Sequence, residues 1–272
     1  MEYLWLVLLG LLAGASGGLL GIGGSTVMIP GMVILFGADR QHLYQASAMI
    51  VNFFVVVPAV IRHLALGATL RPVTRWMIPG AVGGALAGVA LSELRFFRGP
   101  GQGYLQIGFA VFLFYVVAYN LARLGSGRRL PRMTESDAAR LPPLKILLLV
   151  GVPSGLLGGL LGIGGGLVAV PAQQLALRIP LTSAIANSAG TILWSSVVGA
   201  ALKNFRLGEH GFGLGQSALL AGCLAPSAMI ASWFAAARVH RWPVGAIRLA
   251  FIVLLLYGGV RLVLAGAAQV AG

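Results

Sequence analysis

The chain has 272 residues, 58% of them hydrophobic and 9% charged, and a net charge of +13, with a mean hydropathy of +0.92. A soluble domain carries about 25% charged residues, so lipid must solvate most of the outer face. In lipid each backbone polar group needs an internal partner, which leaves helices or closed barrels. The apolar runs are long and continuous, without the alternation of barrel strands, and the fold class is therefore all-α, a polytopic integral membrane protein.

Reading ~20 residues as one span, the first apolar segment covers 4–36. It is too long for one simple helix and is interrupted by Gly21-Ile22-Gly23-Gly24. Its leading charge is Glu2 rather than a basic residue, the wrong start for a signal peptide, so it reads as the first membrane segment. Segments follow at 44–61, 76–91 and 104–122. The stretch 123–145 is polar, holds Pro131, Pro142 and Pro143 among basic and acidic residues, and reads as the one long loop. A second set begins with 146–177, again too long and again broken by glycine, and continues with 182–202, 212–237 and 242–265. Trp5, Tyr44, Trp76, Tyr104 and Trp242 stand at segment ends as interface anchors. Trp194 is mid-segment, where it either packs or lines a pathway, and Arg248 and Arg261 snorkel from the last segment.

The two halves repeat. Residues 14–30 read GASGGLLGIGGSTVMIP and residues 155–171 read GLLGGLLGIGGGLVAVP. Ala46-Ser47-Ala48 further on faces Thr182-Ser183-Ala184, and Arg62-His63 faces Lys203-Asn204. The expected organisation is a first transmembrane repeat over 1–122, a cytoplasmic linker over 123–145 and a second repeat over 146–272. Duplicated halves with matching breaks are a transporter pattern, with substrate held near the midplane between the broken helices. If each long segment is a single bent span, the repeats are parallel; if each is a re-entrant hairpin, they are inverted. Broken helices favour inversion. Counting Lys and Arg by loop places 123–145 in the cytoplasm under either arrangement.

The doubled GLLGIGG motif with its following proline, the Ala-Ser or Thr-Ser element and the basic element after it resemble the TauE/SafE sulfite exporter family over nearly the whole chain. The resemblance implies a multi-pass transporter of the inner, cytoplasmic membrane that moves sulfite, sulfoacetate or related organosulfonates, working as an exporter. It also makes a homodimer plausible. The second half departs from the commoner pattern, with Lys203-Asn204 in place of a basic-His pair.

A helix restarting inside the membrane exposes backbone N–H groups and the positive end of its dipole, and anions bind such ends. Gly23, Gly24, Ser25 and Thr26 form one candidate end, and Gly164, Gly165 and Gly166 the other. Ser47, Asn52, Ser183 and Asn187 offer neutral donors in the segment after each break, and Arg62, His63 and Lys203 stand at the ends of those segments. Tight packing of small residues and helix–helix hydrogen bonding are the competing uses of the same side chains. For the outer glycines, Gly14, Gly17, Gly155 and Gly158, packing is the favoured use.

No Asp or Glu lies deep in an apolar run, and His42, His63, His210 and His240 are spread singly near loops. No carboxylate relay, metal centre or hydrolytic enzyme site is therefore expected, and no cofactor. The single cysteine, Cys223, excludes an internal disulfide, and no GxxxxGK[ST] loop is present. Basic residues scattered between apolar runs fit contact with anionic lipid and not a nucleic-acid surface. A small anionic substrate is the expected partner. An anion channel lined by the two breaks, or a membrane subunit of a larger permease, would use the same features.

Overall fold

The structure, a computed structural model, describes residues 2–125, 133–238 and 244–271, and the regular elements among them are all helical. In chain order these are α1 (Glu2–Leu20), α2 (Ser25–Phe36), α3 (Gln41–Ala65), α4 (Arg71–Ser92), α5 (Gln102–Gly125), α6 (Glu135–Ala139), α7 (Pro143–Ile146), α8 (Val152–Leu161), α9 (Gly166–Ala176), α10 (Leu181–Arg206), α11 (Leu214–Arg238) and α12 (Val244–Ala271). A π-helical turn, Leu147–Gly151, joins α7 to α8. Five helical stretches among the described residues are long and apolar enough to cross a membrane: Gln41–Ala65, Gln102–Ala122, Pro143–Leu161, Leu181–His210 and Leu214–Ala236. The protein is a multi-pass membrane protein.

Both over-long segments fold as hairpins. A Cβ built on Gly24 would lie 3.2 Å from the Ala13 Cβ, and one on Gly31 would lie 2.3 Å from Leu9, so α2 runs back along α1. In the second half a Cβ on Gly165 would lie 2.3 Å from the Ser154 carbonyl oxygen, and α9 returns along α8. The turns depend on glycine: Gly21 and Gly23 have φ of 64° and 80°, and Gly162, Gly164 and Gly165 have 74°, 72° and 84°. An L side chain in that conformation costs about 1–2 kcal/mol per residue. With 12 and 11 residues, α2 and α9 are ~18 and ~17 Å long at 1.5 Å per residue. Neither crosses a ~30 Å hydrocarbon core. Each starts in mid-bundle, since the amide of Gly24 is bonded to Asn52, near the middle of the 25-residue α3.

Packing pairs helices across the halves. The long hairpin arm α1 packs on α11 and the corresponding arm α8 on α4; α3 packs on α10, and α5 on α12. His42, at the start of α3, touches Lys203, near the end of α10, so these two central helices are antiparallel. Two of the outer glycines, Gly14 and Gly155, make the closest helix–helix approaches among the described residues. A Cβ on Gly14 would stand 1.9 Å from the Ala228 carbonyl oxygen, and one on Gly155 would stand 2.0 Å from that of Ala81. Backbone cannot yield as a flexible side chain does. Gly14→Leu and Gly155→Leu are each expected to destabilise the protein by about 1–3 kcal/mol or more, read as a lower melting temperature in detergent. Gly83→Leu, where a Cβ meets nothing within 4 Å, is expected to leave it unchanged.

Several expectations need correction. The 123–145 stretch is not wholly a loop: α5 runs on to Gly125, and α6, capped by Thr134, lies inside it. The Thr134 hydroxyl and backbone amide both donate to Asp137, which holds that carboxyl below the usual range. Ala138 of α6 packs with Leu70, Val73, Ile146 and Ala184, placing the linker at the end of the bundle where α4 and α10 begin. Tyr44 is no interface anchor; it is 1% exposed and its hydroxyl donates to the Gly37 carbonyl. Trp194 is 53% exposed on the outer face, so it does not line an interior pathway. Trp5, Trp76 and Tyr104 are exposed as anchors should be. Trp242 and the side chain of Arg248 lie outside the described residues.

Candidate functional site

The two glycine breaks meet in the middle of the bundle. A Cβ on Gly166 would come within 2.8 Å of the Gly21 carbonyl oxygen, and one on Gly23 within 3.4 Å of that of Ile163. Asn52 stands between them: a Cβ on Gly23 would be 3.1 Å from its Oδ1, and one on Gly164 would be 3.0 Å from its Nδ2. The amides of Gly24 and Ser25 donate to Asn52 Oδ1 at 2.9 and 3.2 Å, and Asn52 Nδ2 donates to the Ser25 hydroxyl. The Thr26 hydroxyl, one residue on, is buried without a hydrogen-bond partner. Across the contact, Ser195 donates to the Gly164 carbonyl at 3.1 Å, and α9 starts at Gly165 with no side-chain cap.

The first-half amides are thus not open. Their acceptor is a neutral amide oxygen, sitting where an anion oxygen would sit. Asn52 Oδ1 takes the orphan donors of the α2 N-terminus and lies in the positive end of its dipole. The site is lined by backbone N–H groups, hydroxyls and one carboxamide, with no fixed charge on its contacts.

Gly23, Gly24, Ser25, Thr26, Asn52, Gly164, Gly165 and Gly166 come together here. The other sequence candidates do not. Ser47 donates within its own helix to Leu43 at 2.8 Å and contacts Ser217 of α11 at 3.4 Å. Asn187 accepts from the Leu70 amide at 2.8 Å and from Thr74 at 3.1 Å, and donates to Gln173 at 2.9 Å. It ties α9 and α10 to the start of α4. Ser183 is half-buried near the start of α10. Arg62 and His63 stand in the last turn of α3, with the Arg62 guanidinium over the Trp233 ring at 5.5 Å. A surface groove between α3 and α11, lined by Val57, Ile61, Met229, Ile230, Trp233 and Phe234, is apolar and offers an anion nothing.

Lys203 lies at the opposite end of the bundle from Arg62, in a group that sequence reading missed. It is 1% exposed. Its Nζ donates to Gln45 Oε1 at 2.7 Å and to the Ser92 hydroxyl at 2.8 Å, and lies 3.4 Å from both Glu93 Oε1 and His42 Nδ1. The other Glu93 oxygen is 2.6 Å from His210 Nε2, and the His42 and His210 rings stack at 3.7 Å. This corrects the expectation of no deep carboxylate and singly spread histidines. Each residue does stand at a segment end, but the helix ends converge and bury them together. The one available signal was Lys203 itself, an ionisable group inside an apolar segment.

Comparison with known proteins agrees with this architecture. A family model described as "Sulfite exporter TauE/SafE" matches residues 6–262. The chain is 28% identical over 222 residues to the protein named "Probable membrane transporter protein MamO" of Paramagnetospirillum magneticum, covering 72% of this chain and 34% of that protein. To the MamO protein of Magnetospirillum gryphiswaldense it is 29% identical over 234 residues, 77% and 36% of the two chains. It therefore spans about a third of the length of either MamO protein. To "Probable membrane transporter protein YunE" of Bacillus subtilis it is 26% identical over 219 residues, 74% of this chain and 77% of that one. No solved structure matches the chain. With a family match over nearly its whole length and the helical membrane architecture described above, the chain belongs to the TauE/SafE sulfite exporter family of membrane transporters.

Proposed function

We propose that the protein is a secondary transporter that exports small sulfur-containing anions, sulfite, sulfoacetate or related organosulfonates, across the cytoplasmic membrane by alternating access. The anion is held where the two hairpin tips meet. The observation that carries this reading is the pair of α2 amides converging on Asn52 Oδ1 against the turn of the second hairpin. A sulfonate oxygen entering there replaces the carboxamide oxygen as acceptor. Ser25, Thr26, the Asn52 NH2 and the first turn of α9 are then donors for the remaining oxygens.

The two halves are inverted repeats in this reading, divided at 123–145. Its support is that helix partners exchange between halves, α1 with α11 and α8 with α4, while α3 pairs with α10 and α5 with α12. A hairpin enters and leaves on one side and three crossings follow, so the second half starts from the opposite face. The linker stretch carries Arg123, Arg128, Arg129, Arg132, Arg140 and Lys145, and Arg62, Arg71, Arg75 and Arg178 stand at the same end. Arg40, Arg95, Arg98, Lys203 and Arg206 stand at the other, and the basic excess at the linker end supports its cytoplasmic placement. Arg62 and His63 then lie at the cytoplasmic mouth, where their charge draws anions toward the path.

The test is uptake into proteoliposomes holding the purified protein, with sulfite, sulfoacetate, taurine, sulfate and thiosulfate. Saturable uptake of sulfite or a sulfonate is expected, lost in a Gly24→Leu/Gly165→Leu double variant. Flat uptake for every compound would remove the sulfur-anion class, and single-channel currents would replace the carrier by a channel.

A further inference from the structure

The buried group at the end of the bundle opposite the linker has no role in holding the anion at the hairpin tips, yet it joins four ionisable residues to a fifth residue, Gln45, that touches a tip. His42 comes from the start of α3, Glu93 from the end of α4, Lys203 from the last turn of α10, and His210 from the helical turn Leu207–His210 that follows it. Glu93 and Lys203 form one ion pair at 3.4 Å, so the carboxylate is already balanced, and the two imidazoles stack beside it. His42 Nε2 faces the Phe97 carbonyl at 3.1 Å and its Nδ1 faces Lys203. The nearest remaining charges are Arg98, Glu209 and Arg206. Arg98 pairs with Glu209 and its Nε donates to the Glu93 carbonyl, while Arg206 lies 3.6 Å from Glu209.

The imidazole nitrogens and a Glu93 oxygen are near enough together, within 4.8 Å, to be read as cation ligands. The Lys203 ammonium, however, already fills that role, with four acceptors within 3.4 Å of it. A divalent ion would add two positive charges beside that ammonium, whereas a proton adds one. His210 Nε2–H already donates to the Glu93 carboxylate, so the added proton goes to His210 Nδ1, and the His42 ring stacked at 3.7 Å opposes a second.

We propose that His210, Glu93 and His42 form a proton-binding site that couples anion movement to the pH gradient across the membrane; this rests on the carrier reading above. A proton arriving from the face opposite the linker, past the half-exposed Arg98–Glu209 pair, forms an N–H bond on His210 and makes an ion pair with Glu93. Lys203 then competes with His210 for the carboxylate and shifts toward its other acceptor, Gln45. Gln45 is the link to the anion site. Its Nε2 lies 3.4 Å from the Leu160 carbonyl, and its Cβ and Cγ would each be 2.7 Å from a Cβ on Gly162, the left-handed residue of the second hairpin turn. Protonation thus acts on the turn that forms half of the anion site.

The experiment measures proton flux with an internal pH dye and sulfoacetate flux with a labelled substrate in the same proteoliposomes. The sulfonate of sulfoacetate stays charged throughout and its carboxyl is ionised well above about pH 4, so flux is compared at about pH 6 and above, where its own titration does not enter. The wild type is expected to move about one proton per anion, the capacity of a single shared histidine proton, and the ratio is expected to fall toward zero in Glu93→Gln and in His210→Gln whatever their remaining rates. A ratio unchanged in both overturns the proposal, as does flux that is lost with a chelator and restored by zinc. Where neither variant is recovered folded, 15N-histidine spectra of the wild type decide. His210 must gain a proton as the pH is lowered across the range of the flux measurements, without His42 doing so, and static shifts overturn the proposal. Sulfoacetate flux with no proton movement refutes coupling and leaves the carrier intact, whereas absence of any anion flux refutes the carrier reading itself.

Discussion

Lys203→Met is expected to lower stability more than any other single change outside the glycine contacts. The ammonium is fully buried, with Gln45, Ser92, Glu93 and His42 around it at 2.7–3.4 Å. Removing it leaves the Glu93 carboxylate, itself buried, with no cation. Breaking one side of a buried ion pair costs about 3–5 kcal/mol, because the remaining charge stays desolvated. Methionine matches the length of the lysine stem, so packing changes little. The variant should melt well below the wild type in detergent at neutral pH. It should recover as the pH falls, since a proton taken up at the His210–Glu93 pair balances or removes the carboxylate's charge.

The double variant Lys203→Met/Glu93→Gln separates charge from shape. If the ion pair is what matters, the second substitution restores most of the lost stability, and the cycle gives a large coupling energy between the two sites. If Lys203 acted only by filling space, the loss would be the same with or without Glu93 and no recovery would follow on acidification. The measurement is the melting temperature of all four proteins at two pH values.

Much of the fold was legible because membrane physics makes sequence patterns coarse and strong. The long apolar segments were visible in hydropathy and the breaks in their glycines, which take the left-handed turns at Gly21, Gly23, Gly162, Gly164 and Gly165, but a bent span and a hairpin share that pattern and only the fold separates them. Gly14 and Gly155 were readable as packing positions by their small size. The polar members of the site were harder. Ser47, Asn52 and Asn187 lie in equally apolar helices, and only the rotation of each helix decides that Asn52 faces the breaks while Ser47 faces α11 and Asn187 the start of α4. Of the Lys203 group only Lys203 itself was legible, because His42, Glu93 and His210 are far apart in sequence and each reads as a residue beside a loop. Burial came from the antiparallel pairing of α3 with α10, which local periodicity does not encode.

Asn52→Asp is expected to abolish anion transport and to lower stability, because Asn52 is fully buried and a carboxylate there has no cation to offset its desolvation. The carboxylate would take the place of the carboxamide oxygen that accepts from Gly24 and Ser25, and a negative charge at a helix N-terminus contributes about 0.3–1 kcal/mol, up to ~2 in a buried geometry, which offsets only part of that cost. The Ser25 hydroxyl, now an acceptor from Asn52, can rotate and donate instead. The fixed charge is fatal to the substrate for the same reason that it suits the helix. An anion at ~4 Å from it meets about 4 kcal/mol of repulsion at an effective dielectric of 20, roughly a thousandfold in affinity. Asn52→Ala differs in transport: the cap is lost, at a cost of about 0.5–2 kcal/mol, but the α2 amides are left open to an anion and uptake is expected to persist. Both variants therefore melt below the wild type, and saturable uptake measured on the same three proteins separates them. Wild-type uptake by Asn52→Asp would place the anion somewhere other than the meeting point of the two hairpins, because no arrangement of donors there tolerates a second negative charge at that distance.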